Sequence, residues 1–416
     1  MSTERARRNA TMRWLLALAV GALLASAIDG DPPARSAAGD GAELPTAAHE
    51  VPAAEAPGRR PDADRPPPAE QQTEQQPEAA AQPAAPPCQA TIDRLGRRDR
   101  LAQLVFVGIG SPGSAQAVDA VHTQHVGGIF LRGNSTEPLV GGSLGGLLAG
   151  AAVPVAVSVD EEGGRVQRID VVAGPIPSAR VMARTMSPEQ VRELATARGA
   201  ALRAMGVTID LAPVADIGDE PDRHAIGDRS FSPDPGVAAA YAGAFAQGLR
   251  DSGVLPVVKH FPGHGRASGD SHRGAVATPP IEDLLAADLL PYRQLLAQAP
   301  VAAMVGHLIV PGLTDGRPAS LSAATYRLLR QEYGFTGVAV TDDLGGMRAV
   351  TDRHDLPDAA LRALVAGADV VLWSSGERIA EVLTRLENAI DRGELPVERI
   401  TESLQRVLSA KGVCAG

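Results

Sequence analysis

Four stretches of the chain gather side chains able to move protons, attack carbon or hold hydroxyl groups. They are Asp160-Glu161-Glu162-Gly163-Gly164-Arg165, Lys259-His260-Phe261-Pro262-Gly263-His264-Gly265, the lone His307, and Thr341-Asp342-Asp343. Two chemistries can use this set. A metal-dependent hydrolase would recruit His260, His264, His272, His307 and Asp342, because imidazole is the commonest metal-binding side chain. Acid–base work on a sugar acetal instead needs acidic groups flanking one oxygen, with charged partners for the hydroxyls. Asp160, Arg229, Lys259, His260 and Asp342 suit that second use.

What must position these groups is legible in the alternation of the chain. Short β-branched runs at 104–107, 127–131, 153–160, 207–213, 255–260, 302–308, 337–342 and 369–373 are separated by longer helical patterns. In the stretch 187–205, Ser187-Pro188-Glu189-Gln190 supplies an N-cap, a proline at the first helical position and a capping-box partner. Helical patterning recurs at 281–297 and 322–333. Strands apolar on both faces and joined by helices predict a parallel sheet covered by helices, and eight such units predict an α/β (β/α)8 TIM-type barrel as a single catalytic domain. In that architecture the active site lies at the C-terminal ends of the strands, where the polar segments fall. The turn Gly108-Ile109-Gly110-Ser111-Pro112-Gly113 makes only a weak case for dinucleotide binding. A metal-dependent barrel would be expected to open with His-x-His after its first strand, and 104–111 contains no histidine.

Five ordered blocks carry a resemblance: Asp160-Glu161-Glu162-Gly163-Gly164-Arg165-Val166-Gln167-Arg168, Gly227-Asp228-Arg229-Ser230-Phe231, Lys259 to Gly265, Asp270-Ser271-His272, and Val340-Thr341-Asp342-Asp343-Leu344. Together they resemble the signatures of family 3 glycoside hydrolases, in particular the single-domain bacterial β-N-acetylhexosaminidases. The resemblance implies that Asp342 is the nucleophile, with Asp343 its rival in a bare reading of strand alternation. It implies that Asp270 and His272 form the acid/base dyad, and that Asp160, Arg229, Lys259 and His260 bind hydroxyls of the terminal sugar. An imidazole suits the acid/base role because its ordinary pKa near 6.5 permits both halves of a proton transfer at neutral pH. Gly263, Gly265, Gly269 and Gly274 bracket the dyad and fit a loop that closes on substrate. Arg165 and Asp216 are open between sugar contact and structural ion pair, and Trp373 between a sugar platform and core packing.

The activity implied is that of a retaining exo-β-N-acetylglucosaminidase acting on cell-wall glycans or muropeptides, with no metal or organic cofactor and a monomeric chain. Phosphorolysis or β-glucoside hydrolysis on the same scaffold is an alternative. Arg266 stands where the family commonly has Asp-Thr after Gly-His-Gly, and is either an anion contact favouring phosphate or a solvated arginine. A non-catalytic glycan-binding envelope protein is a rival from another class, weakened by the presence of Asp342, Asp270 and His272.

Composition bounds the partners and the compartment. With 416 residues, a formal charge of −10 and no long basic run, the chain lacks the cationic face that nucleic acid requires. Residues 1–27 read as a signal peptide or short N-terminal anchor: Arg5, Arg7, Arg8 and Arg13 precede an uncharged run ending in Ala25-Ser26-Ala27. Residues 28–87, rich in Pro, Ala, Glu and Gln, predict a disordered tether to the membrane or wall, and 88–416 the folded barrel. An exported protein, extracellular or in the cell envelope, is therefore expected. Cys88 and Cys414, the only cysteines, bracket the barrel and predict one disulfide across its termini, the alternative being two unpaired thiols.

Overall fold

The computed structural model describes residues 88–133, 139 and 141–414. The expected signal and tether segments, 1–27 and 28–87, lie outside the described residues. Eight parallel strands close into a barrel in the order β1-β10-β9-β7-β5-β4-β3-β2. These are β1 Val105–Ile109, β2 Gly128–Leu131, β3 Ala156–Val159, β4 Ile209–Asp210, β5 Leu255–Phe261, β7 Ala302–Val305, β9 Ala339–Asp343 and β10 Val370–Trp373. Each falls within or at the edge of a predicted run. Two further strands of two residues each, β6 Val276–Ala277 and β8 Leu308–Ile309, pair outside the barrel.

Six of the eight strands bury every apolar residue they carry, because one face fills the barrel and the other meets the surrounding helices. Helix Pro188–Ala204 begins with the expected capping box, Ser187 and Gln190 exchanging side-chain and backbone hydrogen bonds. The patterned stretch 281–297 is not one helix. It divides into Ile281–Ala286 and Leu290–Leu295, since Pro291 supplies no N–H and its ring opposes the carbonyl four residues earlier. The stretch 322–333 likewise turns from α-helix Ala323–Arg327 into a π-helical turn, Leu328–Glu332. Among the described residues no helix is long and apolar enough to cross a membrane.

Closure sets local demands. The glycine turn after β1 has the spacing of a dinucleotide loop, yet Gly108 serves the barrel: a Cβ there would lie 2.0 Å from the Ser374 carbonyl oxygen beyond β10. Trp373 is fully buried and donates its indole N–H to the Glu377 carbonyl, so it belongs to the core rather than to a sugar platform. Beneath the barrel Lys411 donates to Gln103 Oε1 and the Gly127 carbonyl, and burial pushes its ammonium down to about 7.

Closure also brings the two ends of the barrel segment together. Cys88 and Cys414 form the predicted disulfide with Cα atoms 4.8 Å apart across 326 residues of sequence. A loop of that length gives a chain-entropy stabilisation on the order of 5 kcal/mol as an upper value. A Cys88→Ser, Cys414→Ser variant should retain the fold and melt roughly 5–10 °C lower, as read by calorimetry. Equal melting of oxidised, reduced and mutant protein would show that the bridge does not stabilise the barrel.

Candidate active site

The C-terminal ends of the strands surround a cavity of about 390 Å³. Its lining includes every residue proposed from sequence for catalysis or binding: Asp160, Arg229, Lys259, His260, Asp270, His272 and Asp342. Phe130, Leu211, Met304 and Leu372 form its apolar floor. The polar groups fall into three sets, with β5 contributing Lys259 to the first and His260 to the second.

The first set is a buried ion cluster built around Lys259, whose side chain is 2% exposed at the end of β5. Its ammonium reaches Asp160 Oδ1 at 2.7 Å and Glu162 Oε1 at 2.6 Å, both after β3. Glu162 in turn receives both prongs of Arg229, at 2.7 and 2.8 Å. Burial alone would raise the Glu162 carboxyl, but Arg229 and Lys259 hold it far below the ordinary glutamate value. Asp160 keeps 21% of its side chain exposed and so presents carboxylate oxygen to the cavity. Below this cluster Glu161 and Asp210 are fully buried, and burial pushes both carboxyls up.

The second set centres on Asp216, which is fully buried. Its carboxylate accepts from His260 Nδ1 at 2.6 Å and from the backbone N–H groups of His260 and His264. That fixes His260 with Nε2 toward the cavity, 3.4 Å from Arg229. Gly265 allows the chain to pass here, since a Cβ would lie 1.8 Å from the Ile217 carbonyl oxygen. Asp216 is thus a structural anchor. Arg165 acts similarly, bonding Asp228 and the carbonyls of His224, Ala225 and Ile226.

The third set separates the two aspartates at the end of β9. Asp343 Oδ1 accepts from the N–H groups of Gly345, Gly346 and Ser374, closing the turn and tying it to β10. Asp342 is left facing the cavity, 7% exposed, with only the Asp343 N–H bonded to its Oδ1. Burial would raise its carboxyl, yet His260, His307, the Asp343 N–H and Lys259 together hold it below the usual aspartate value. His307 does not line the cavity: it spans Ser320 Oγ at 2.6 Å and the Asp343 carbonyl at 3.1 Å, supporting the strand end. On the same cavity, Asp270 Oδ1 accepts from His272 Nδ1 at 2.8 Å and from the His272 N–H at 3.0 Å. The neighbouring ion pair and hydrogen bonds outweigh burial and lower the Asp270 carboxyl.

Arg266, open between anion contact and solvated arginine, is engaged within the fold. Its Nε donates to buried Asp288 at 2.9 Å and its NH2 to the Asp283 carbonyl, so the guanidinium is spent within the fold. Residues on the cavity wall that sequence reading did not assign include Glu162, Arg168, Arg223, His224, Ser271 and Met347. Glu162 had a signal, lying in the same acidic block as Asp160. Met347 had none, being placed only by the turn after β9.

A parallel barrel whose mouth joins a buried carboxylate, a carboxylate–imidazole pair and a buried ion cluster has the groups that glycoside hydrolysis requires. Residues 97–410 match the glycosyl hydrolase family 3 N terminal domain. The chain belongs to that family. It is 53% identical over 325 residues to the beta-hexosaminidase LpqI of Mycobacterium tuberculosis, covering 76% of this chain and 83% of that one. A solved glycosyl hydrolase of the family from Mycobacterium smegmatis superposes with a TM-score of 0.74 at 52% identity, over 76% of this chain and 97% of the other. A family 3 beta-N-acetylglucosaminidase from Paenibacillus sp. gives 0.73 at 33% identity, over 77% of this chain and 64% of the other.

The ion cluster makes a prediction about acid stability. Glu162 has a folded pKa below its unfolded value near 4.5, so its stabilisation is present above that pH and is lost as pH falls through the folded value. Glu162→Gln leaves Arg229 and Lys259 facing each other and should cost about 3 kcal/mol at pH 7. The gap from wild type in urea denaturation should narrow by about 1 kcal/mol at roughly pH 3.5. A gap independent of pH would mean that Glu162 contributes through packing instead of charge.

Proposed function

We propose that the protein is a retaining exo-β-N-acetylglucosaminidase that removes terminal β-linked N-acetylglucosamine from cell-wall glycans. The observation that carries this reading is that Asp342 and the Asp270–His272 pair line one cavity together with Asp160, Lys259, Arg229 and His260. The names of the similar mycobacterial and Paenibacillus proteins support the N-acetylhexosamine preference. The signal-like segment 1–27 supports export and the tether-like 28–87 a place in the envelope, where such glycans are found.

In the proposed reaction the Asp342 carboxylate attacks the anomeric carbon while His272 gives its proton to the departing glycosidic oxygen, so one C–O bond forms as the other breaks. Asp270, accepting from Nδ1, holds the ring with Nε2 toward the reacting oxygen and stabilises its protonated form. In the second step His272 takes a proton from water, whose oxygen displaces Asp342. Two inversions restore the starting configuration. The depressed Asp342 carboxyl keeps the nucleophile ionised at neutral and mildly acid pH. Water is the acceptor in this reading, consistent with the engagement of Arg266 by Asp288.

Reaction of the purified chain with a slow 2-acetamido-2-deoxy-5-fluoroglycoside should leave one sugar on Asp342, located by intact-mass and peptide-mapping spectrometry. Asp342→Asn should lower kcat/KM on aryl N-acetyl-β-glucosaminides at least about 1,000-fold with the fold retained. No adduct and no turnover, in water or in phosphate, would leave a glycan-binding barrel as the better account.

A further inference from the structure

The dyad loop carries a third residue turned the other way. Asp270 and His272 keep 31% and 62% of their side chains exposed, whereas Ser271 between them is 2% exposed. Its hydroxyl lies 3.4 Å from His264 Nε2 and 3.6 Å from Met347 Sδ. Its carbonyl accepts from the Ala349 N–H at 3.1 Å. Neither side of this socket is free to drift. His264 follows β5 with its own N–H bonded to Asp216 at 2.7 Å, and its ring lies edge-on to His260. Met347 and Ala349 stand on the segment that leaves β9, just after the turn that Asp343 closes, with Ala349 on the short helix Arg348–Thr351. Ser271 therefore touches the sugar-binding strand end on one side and the exit of the nucleophile strand on the other.

At the loop's base, Ser268 and Ala277 exchange two hydrogen bonds, which close the neck without reaching the cavity. From this neck the dyad must be aimed, and an exposed His272 has little packing of its own to aim it. A seryl hydroxyl suits the socket: it accepts from an imidazole N–H and donates weakly to a thioether. Burial lowers the His264 ring, which keeps it neutral and compatible with this pairing.

We infer that Ser271 is a positioning residue for the acid/base dyad, a peg whose seating between His264 and Met347 sets where His272 meets the leaving oxygen. The inference rests on the reading of Asp270 and His272 given above. It predicts that loss of the hydroxyl harms the proton transfers and spares the attack by Asp342 and the binding of the terminal sugar.

The test uses Ser271→Ala and His272→Ala in the full chain, with two substrates. Di-N-acetylchitobiose needs its leaving oxygen protonated; 2,4-dinitrophenyl N-acetyl-β-glucosaminide does not. Ser271→Ala should lose roughly 10- to 100-fold in kcat/KM on the first and be little changed on the second, the scale expected of a displaced catalytic group. Azide, a nucleophile that requires no base, should raise dinitrophenyl turnover by both variants but not by wild type. An equal loss on both substrates, or no loss on either, would overturn the inference and leave Ser271 as packing. If His272→Ala itself shows neither the substrate split nor azide rescue, the acid/base reading fails and the peg falls with it, by a result distinct from failure of Ser271→Ala alone.

Discussion

A lysine ammonium placed inside a barrel must find carboxylates or lose its charge, and most of the site's architecture follows from the burial of Lys259. Asp160 and Glu162 come from the end of β3 to meet it, and Arg229 comes from a 3-10 turn, Gly227–Arg229, to share Glu162. Such a cluster is poor evidence for stability, since desolvation offsets much of the attraction. Its use is geometric. With Glu162 holding both cations, Asp160 is left as the partly exposed acceptor at the cavity wall.

The same division of labour recurs in three places around the site, where one residue is taken up by the fold and its neighbour keeps polar atoms for the cavity. Asp343 closes the turn to β10 while Asp342 faces inward. Asp216 anchors two backbone N–H groups while His260 presents Nε2. Ser271 is buried while Asp270 and His272 are exposed. Groups that must act in concert are thus fixed by neighbours whose own polar atoms are taken up within the fold, which is how a barrel holds groups from several strands to a common point.

Much of the frame was legible beforehand, for reasons that are local. Runs such as Val257-Val258 and Val370-Val371 are strand-forming and apolar on both faces, and the Ser187–Gln190 capping box needs only four residues to be recognised. The errors were also local in cause. Apolar periodicity carried 281–297 across Pro291, where backbone sterics divide the helix. The β6–β8 pair was invisible, because two residues carry no period and their pairing depends on contact between loops far apart in sequence.

By itself the sequence determined the number and order of the βα units, the sites at which carboxylates and histidines would cluster, and the pairing candidates Cys88 and Cys414. These depend on residue type and short-range spacing, which one strand or one helix can express alone. Which of Asp342 and Asp343 has its carboxylate taken up by the turn, the engagement of Arg266 by Asp288 and the burial of Trp373 were decided only by tertiary structure. Each turns on what a distant segment offers: backbone N–H groups from beyond β10 for Asp343, a buried carboxylate for Arg266, the barrel wall for Trp373. Neighbours of that kind exist only once the sheet has closed.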